Sequence, residues 1–287
     1  DWRSPGGTSE IVRYIKSEYT AGFRHLWLTE RGGEWTSAVQ RSFLNRKLRQ
    51  ADASEEEWCA REAFLTSDVG IGIDLFFGGG QYDFGRLASE GVLVPCGVRE
   101  RHPEWFNGDV PLIRQEVSGE VWYDPEDRYY GACLSSFGLC YNLDRLAGLG
   151  GSGVAMPAPS GWEALGDVHY RGHIGVADPS KSGSITKCFE MLIQQKMAAT
   201  IVAAAEDQSA EAALAEGWSE ALLLIRRIGG NARYFTFSAS KVPVDVAQGD
   251  VVAGMCIDFY GRSQAEWERK HAGGEVMRYA DPVGGSS

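Results

Sequence analysis

Ile185, Cys188, Phe189, Leu192 and Ile193 fall at the i, i+3, i+4, i+7, i+8 spacing of an amphipathic helix, the clearest helical signal in the chain. His173 to Ala177 ahead of it is a short apolar run that predicts a strand, joined to the helix by Asp178-Pro179-Ser180-Lys181-Ser182-Gly183-Ser184. The same alternation recurs upstream. Ile71 to Phe77 reads as a strand ended by Gly78-Gly79-Gly80, followed by a helix over 83–90 with Phe84, Leu87 and Ala88 inward. Gly91 stands where a helix C-cap is expected, and Val92 to Pro95 resumes an extended segment.

Other elements fill the chain between these. Thr8 or Ser9 is a candidate cap for a first helix burying Ile11, Val12 and Ile15, with Glu10 near its positive end. Polar residues 28–68 predict one or two surface helices, with Trp58, Ala60, Phe64 and Leu65 on the inner side of the second. Residues 97–128 are irregular, and Tyr129 to Asn142 reads as long extended structure with Ser135-Ser136 at its middle. A short helix over 143–149 leads into a loop of small residues over 150–159, and Ser160-Gly161-Trp162-Glu163 has the form of a capping box. A helix over 209–228 presents Leu214, Trp218, Ala221, Leu222, Ile225 and Ile228 on one face and stops at Gly229-Gly230. Extended Tyr234 to Phe237, a helix near 240–248, a strand Val251 to Phe259, a polar helix Gly261 to His271 and a strand Val276 to Tyr279 complete an α/β order.

Composition narrows the function. The chain has 287 residues, and 39 acidic against 28 basic side chains give a net charge of −11. That balance argues against a nucleic-acid or anionic-membrane footprint, which needs clustered basic residues. No run of about eighteen apolar residues marks a membrane span, and no basic region followed by an apolar stretch marks a leader peptide in this chain. Glycine is in excess, 36 residues against about 7% on average, without a collagen period. The six cysteines show no C-x-x-C pair and read as buried small hydrophobes.

Three glycine- or serine-rich turns lead into helix starts, where unpaired backbone N–H groups and the helix dipole favour anions. They are Gly6 to Ser9, Gly78 to Gly80, and Asp178 to Ser184 with its one mobile cation, Lys181. Plain helix caps use the same residue types. Phosphate loops of the G-x-G-x-x-G and G-x-x-x-x-G-K-[ST] kinds are absent, as are H-E-x-x-H and a G-x-S-x-G elbow. Asp258 and Tyr260 could serve as acid and base, but residues at a strand end more often contact ligand or cap a turn, and no reaction is singled out.

Taken in order, several segments resemble one family: the periplasmic solute-binding proteins of ABC importers, in the iron(III)/anion-binding branch with the type II fold. They are Gly6 to Glu10, Ile71 to Gly80, Gly91 to Pro95, Leu134 to Asp144, Ser160 to Leu165, Ile174 to Ser184, Gly249 to Gly261 and Pro282 to Gly285. The resemblance implies a two-lobed α/β fold with a hinge and an interlobe cleft: 1–134 as the first part of lobe I, 135–254 as lobe II, and 255–287 returning to lobe I. The crossings fall near 130–140 and 245–257. It further implies a periplasmic monomer, without a cofactor and not an enzyme, that captures a small anionic solute, phosphorylated or not, and passes it to a membrane permease. Ser182, Gly183 and Ser184 match the family's anion-holding turn, and the expected ligand shell is Thr8, Ser9, Gly79, Gly80, Ser135, Ser136, Ser182, Gly183, Ser184 and Tyr260. The alternatives are a ferric-ion carrier that uses a synergistic anion, with Fe3+ as cargo on Tyr260 and Asp258, and an enzyme on the same fold. Iron-binding members place two adjacent tyrosines where this chain has Phe259-Tyr260, which removes one phenolate and favours the anion. Beside the family pattern the chain starts late and stops early, so lobe I is expected to be incomplete, truncated at both ends.

Overall fold

A computed structural model describes residues 3, 6–117, 119–150, 156–205 and 208–282. The chain divides into two compact units, Asp1–Leu134 and Ser135–Ser287. The expected loop 150–159 and the Pro282 to Gly285 stretch lie mostly outside the described residues.

The first unit is helical. Helix α1 (Thr8–Thr29) buries Val12, Ile15, Phe23 and Trp27, and α2 (Ser37–Ser42) is capped by the Thr36 side chain. Helix α3 (Glu55–Leu65) opens on a capping box in which Ser54 and Glu57 satisfy each other's backbone N–H groups. Helix α4 (Gln81–Glu90) ends on Gly91 as its sequence predicts. These helices meet in one core, where Phe23 stacks on Phe43 at 4.9 Å and both meet Phe64 edge-on at 5.3 Å. A short helix α5 (Val98–Arg101) and a two-residue hairpin, β1 (Glu116–Val117) with β2 (Glu120–Val121), follow.

The strand predicted over Ile71–Phe77 does not form, nor does one over Val92–Pro95. A strand needs a neighbour to take its backbone hydrogen bonds, and the described strands of this unit, β1 and β2, pair with each other. Leu75 and Phe77 are instead 73% and 62% exposed.

Near the end of this unit the Arg128 guanidinium grips the buried Asp124 carboxylate in two bonds, Nε to Oδ2 at 2.6 Å and Nη2 to Oδ1 at 3.0 Å. That hydrogen-bonded pair holds the Asp124 pKa below its ordinary value. A carboxyl with a depressed folded-state pKa contributes stability that is present above the unfolded value of about 3.9 and lost as pH falls through the folded value. Asp124→Asn will therefore cost about 1–2 kcal/mol at neutral pH. In an acid titration followed by tryptophan fluorescence, its gap from wild type will close as pH falls from the unfolded carboxyl value of about 3.9 through the lower folded one.

The second unit holds a five-stranded sheet in the order β5-β4-β6-β3-β7. Strand β3 (Phe137–Asn142) is followed by α6 (Leu143–Leu149), whose first turn Asn142 caps by accepting from Arg145 N–H. After the short α7 (Trp162–Leu165) come β4 (Ile174–Ala177), α8 (Gly183–Ala203) and α9 (Ala210–Asn231). Strand β5 (Ala232–Thr236), α10 (Lys241–Ala247), β6 (Ala253–Ile257), α11 (Asp258–His271) and β7 (Met277–Ala280) close the unit. Strand β4 runs parallel to both β5 and β6, while β3 is antiparallel to β6 and β7. Alternate side chains divide the cores: Leu139, Tyr141, Ala253 and Met255 meet α8 and α9, and Cys140, Cys256 and Met277 meet α10. Gly175 and Gly254 face each other where β4 meets β6. A Cβ on Gly254 would stand 2.6 Å from the Gly175 carbonyl oxygen and run into Val242, so only glycine lets these strands close.

Four expectations for this unit are corrected. The segment from 255 does not leave for the first unit: β6 and β7 pair on either side of β3, burying Met255, Cys256 and Met277. Helix α9 runs through Gly229-Gly230 to Asn231, whose side chain donates to the carbonyls of Leu165 and Asp167. Its buried stripe is Ala213, Gly217, Ala221, Leu224 and Ile228, leaving Trp218 and Leu222 exposed. A Cβ on Gly217 would lie 2.6 Å from Met197 Cα, so the two backbones touch there and turn the small residues inward. Ser160 caps nothing; Gly161 is the N-cap of α7, and Glu163 pairs with Lys196 at 2.5 Å.

Candidate functional site

In the first unit the structure brings Thr8 and Gly79 together: a Cβ on Gly79 would stand 3.0 Å from Thr8 Cγ2. The starts of α1 and α4 therefore lie side by side. Neither Thr8 nor Ser9 is the cap, since Gly7 holds that position, and Thr8 and Ser9 are the first two helical residues. Gly80 caps α4. Each helix already carries its own anion. Glu10 Oε2 accepts from the Gly7 N–H at 3.0 Å, and the Asp83 carboxylate accepts from the Gly80 N–H while burial pushes its pKa up. These carboxylates take donors that a bound anion would use and repel it as well.

The second unit is arranged differently. The sheet presents one end where β4 and β6 finish and β3 begins, and the pairing of β4 with β6 stops at Gly175 and Gly254. Beyond that point the chain leaves β4 for α8 and β6 for α11, whose cores lie on opposite faces of the sheet. This is the kind of crevice in which open α/β sheets hold ligands. Ser182, Gly183 and Ser184 form the start of α8: Ser182 is the N-cap, is buried, and makes no side-chain cap bond. Asp178 in the approach is engaged by the Ser180 N–H and hydroxyl at 2.9 and 2.7 Å, which depress its pKa, and lies 3.8 Å from Lys181 Nζ.

Six described helices are longer than seven residues, and five carry an acidic residue in the first turn: α1, α3, α4, α9 and α11. Helix α8 alone carries none. Its first N–H groups thus have no carboxylate of their own helix.

At the same end of the sheet, Asp258 is the first residue of α11 rather than the end of a strand, because its carboxylate suits the helix's positive start. Its Oδ1 accepts from Ser136 N–H at 3.3 Å and its N–H donates to Ser136 O at 3.0 Å. Ser135 is half-buried beside this pair, and Tyr260 is 37% exposed on the first turn of α11 with its ring 4.3 Å from that of Phe259. Tyr279, which sequence reading passed over, donates to Asp281 at 3.0 Å and has its pKa raised, chiefly by burial. Only strand pairing places it here, so no local pattern marks it. No group of three or more His, Cys, Asp or Glu side chains suited to a metal ion occurs among the described residues. No described helix is long and apolar enough to cross a membrane.

No protein-family model matches the chain, and no curated protein matches it. Solved structures do resemble it. The periplasmic binding protein AfuA from Actinobacillus pleuropneumoniae, with fructose-6-phosphate bound, is 19% identical with a TM-score of 0.41, over 56% of this chain and 43% of that one. Iron-bound HitA from Pseudomonas aeruginosa is 14% identical with a TM-score of 0.45, over 93% and 65%. The apo ferric ion-binding protein A of Pasteurella haemolytica is 11% identical with a TM-score of 0.48, over 99% and 68%. The chain spans less than half the length of AfuA.

Proposed function

We propose that the chain is the solute-binding component of an ABC importer, a periplasmic monomer that captures a small anionic solute and hands it to a membrane permease. The observation that supports this reading best is the start of α8. There a buried serine, two further small residues and an adjacent lysine surround backbone donors that carry no acidic residue of their own. A phosphate or carboxylate accepting from Gly183, Ser184 and Ile185 N–H groups would meet both hydrogen bonds and the dipole's positive end. With a net charge of −11, attraction must come from such local donors rather than from the overall field. Ser136, Asp258 and Tyr260 supply the polar surround for the uncharged part of the solute, and binding ends in release rather than turnover.

A thermal-shift screen of phosphorylated and carboxylated solutes, with mass spectrometry of any small molecule released from the purified protein, tests the reading. Ligand at a hundred times its dissociation constant stabilises by about 2.7 kcal/mol. Indifference to every anion would end the proposal.

A further inference from the structure

A cavity of about 300 Å³ lies at the opposite end of the second unit's sheet, away from the start of α8. Its wall comes from the start of α6, from His173 just before β4, from the start of β5, and from the turn Gly249–Val252 that leads into β6. Two guanidinium groups are held against that one turn. Arg145 lies over Gly249, where a Cβ would stand 2.8 Å from its Nε, and Arg233 Nη1 donates to the Asp250 carbonyl at 2.6 Å. Two carboxylates, Asp144 and Asp250, line the same cavity. All four charged side chains are exposed around the cavity, and among the described residues no ion pair joins either arginine to either aspartate. Leu149, half-buried at the end of α6, supplies an apolar edge.

We propose that this cavity is a ligand site for a zwitterionic α-amino acid with an apolar side chain. The carboxylate would sit on the Arg145 and Arg233 guanidiniums, which keep unused N–H donors. The ammonium would sit between Asp144 and Asp250, and the side chain would lie on Leu149. A zwitterion meets both pairs of charges at once, whereas a simple anion would have two carboxylates against it and a simple cation two guanidiniums. The volume suits a molecule of this size. The site shares no residue with the start of α8 and does not depend on the importer reading.

The test is isothermal titration of the full chain with L-leucine, acetate and isobutylamine, each up to about 10 mM, the weak end of specific binding. Leucine should bind, and acetate and isobutylamine should each bind at least about tenfold more weakly, since each keeps one charge and meets the opposing pair. Arg145→Gln and Asp144→Asn should each weaken leucine about tenfold or more while circular dichroism melting stays at the wild-type temperature. Acetate bound equally by wild type and Arg145→Gln is bound outside this cavity. The proposal is overturned if leucine does not bind, if acetate binds as tightly as leucine and loses that affinity in Arg145→Gln, or if the two charge variants bind leucine like wild type.

Discussion

Arg61→Met will destabilise the first unit by about 3–5 kcal/mol, because it leaves carbonyls from two separate segments without a donor. Arg61 lies on α3, 6% exposed, and its guanidinium donates to Phe43 O at 2.7 Å, Glu90 O at 2.6 Å and Ser89 O at 3.0 Å. Two of those carbonyls belong to the last turn of α4, whose final C=O groups have no partner within the helix. A cation is favoured there by the dipole as well. The buried Glu90 carboxylate is held by Lys16 at 2.6 Å, so the loss falls on the carbonyls rather than on an ion pair. Methionine matches the arginine stem in length but offers no N–H. Lysine keeps the charge yet cannot spread it over three acceptors in the plane of a guanidinium, so Arg61→Lys should recover less than half of the loss. Because the chain folds as two units, a single melting midpoint is a poor reading of this change. Hydrogen exchange resolves it: amides of α3 and α4 should lose protection by two to three orders of magnitude, while β3 and β6 keep theirs. Equal loss in both units, or none, would refute the assignment.

Arg61 was invisible in the sequence for a physical reason. Residues 28–68 read as surface because they are polar, and nothing local reveals that one arginine among them reaches two other segments. What was legible depended on short-range physics. The start of α6, the end of α4 at Gly91 and the buried positions Ile185, Cys188 and Leu192 of α8 follow from caps and periodicity, which act within a few residues. Caps were misplaced by a residue or two at α1 and α7, and the larger misreadings needed a distant partner. Ile71–Phe77 has strand composition but no strand beside it. Trp218 and Leu222 look like core until the backbone contact at Gly217 sets the rotation of α9. In the candidate site, Ser182 to Ser184 were legible from their place after an apolar run. Glu10 and Asp83 also stood in view, but their effect was not: only the folded caps show them answering the donors at Gly7 and Gly80.

That difference between helix starts leads to the second large effect. Ser184→Asp will lower affinity for an anionic solute by at least about a hundredfold, and it will leave the unliganded protein as stable as before or slightly more so. Ser184 is the second residue of α8, half-buried, in a first turn without acidic side chains. A carboxylate there stands one position earlier than Glu10 in α1 and Asp83 in α4, and like them it competes for the first-turn donors and cancels the positive end. Repulsion between two unit charges about 4 Å apart at an effective dielectric constant near 20 is about 4 kcal/mol. A hundredfold loss needs only about 2.7 kcal/mol. The same carboxylate contributes about 0.3–1 kcal/mol to the helix itself through the dipole. Melting temperature and affinity therefore move in opposite directions, which no general disruption of the fold can produce. Ser184→Ala removes one hydroxyl and adds no charge, so its loss should stay within about tenfold. The variant also separates the two cargoes. An added carboxylate does not repel a ferric cation, so titration with Fe3+ should not weaken where titration with a sugar phosphate does. Unchanged affinity for anions in Ser184→Asp would remove α8 from the binding site.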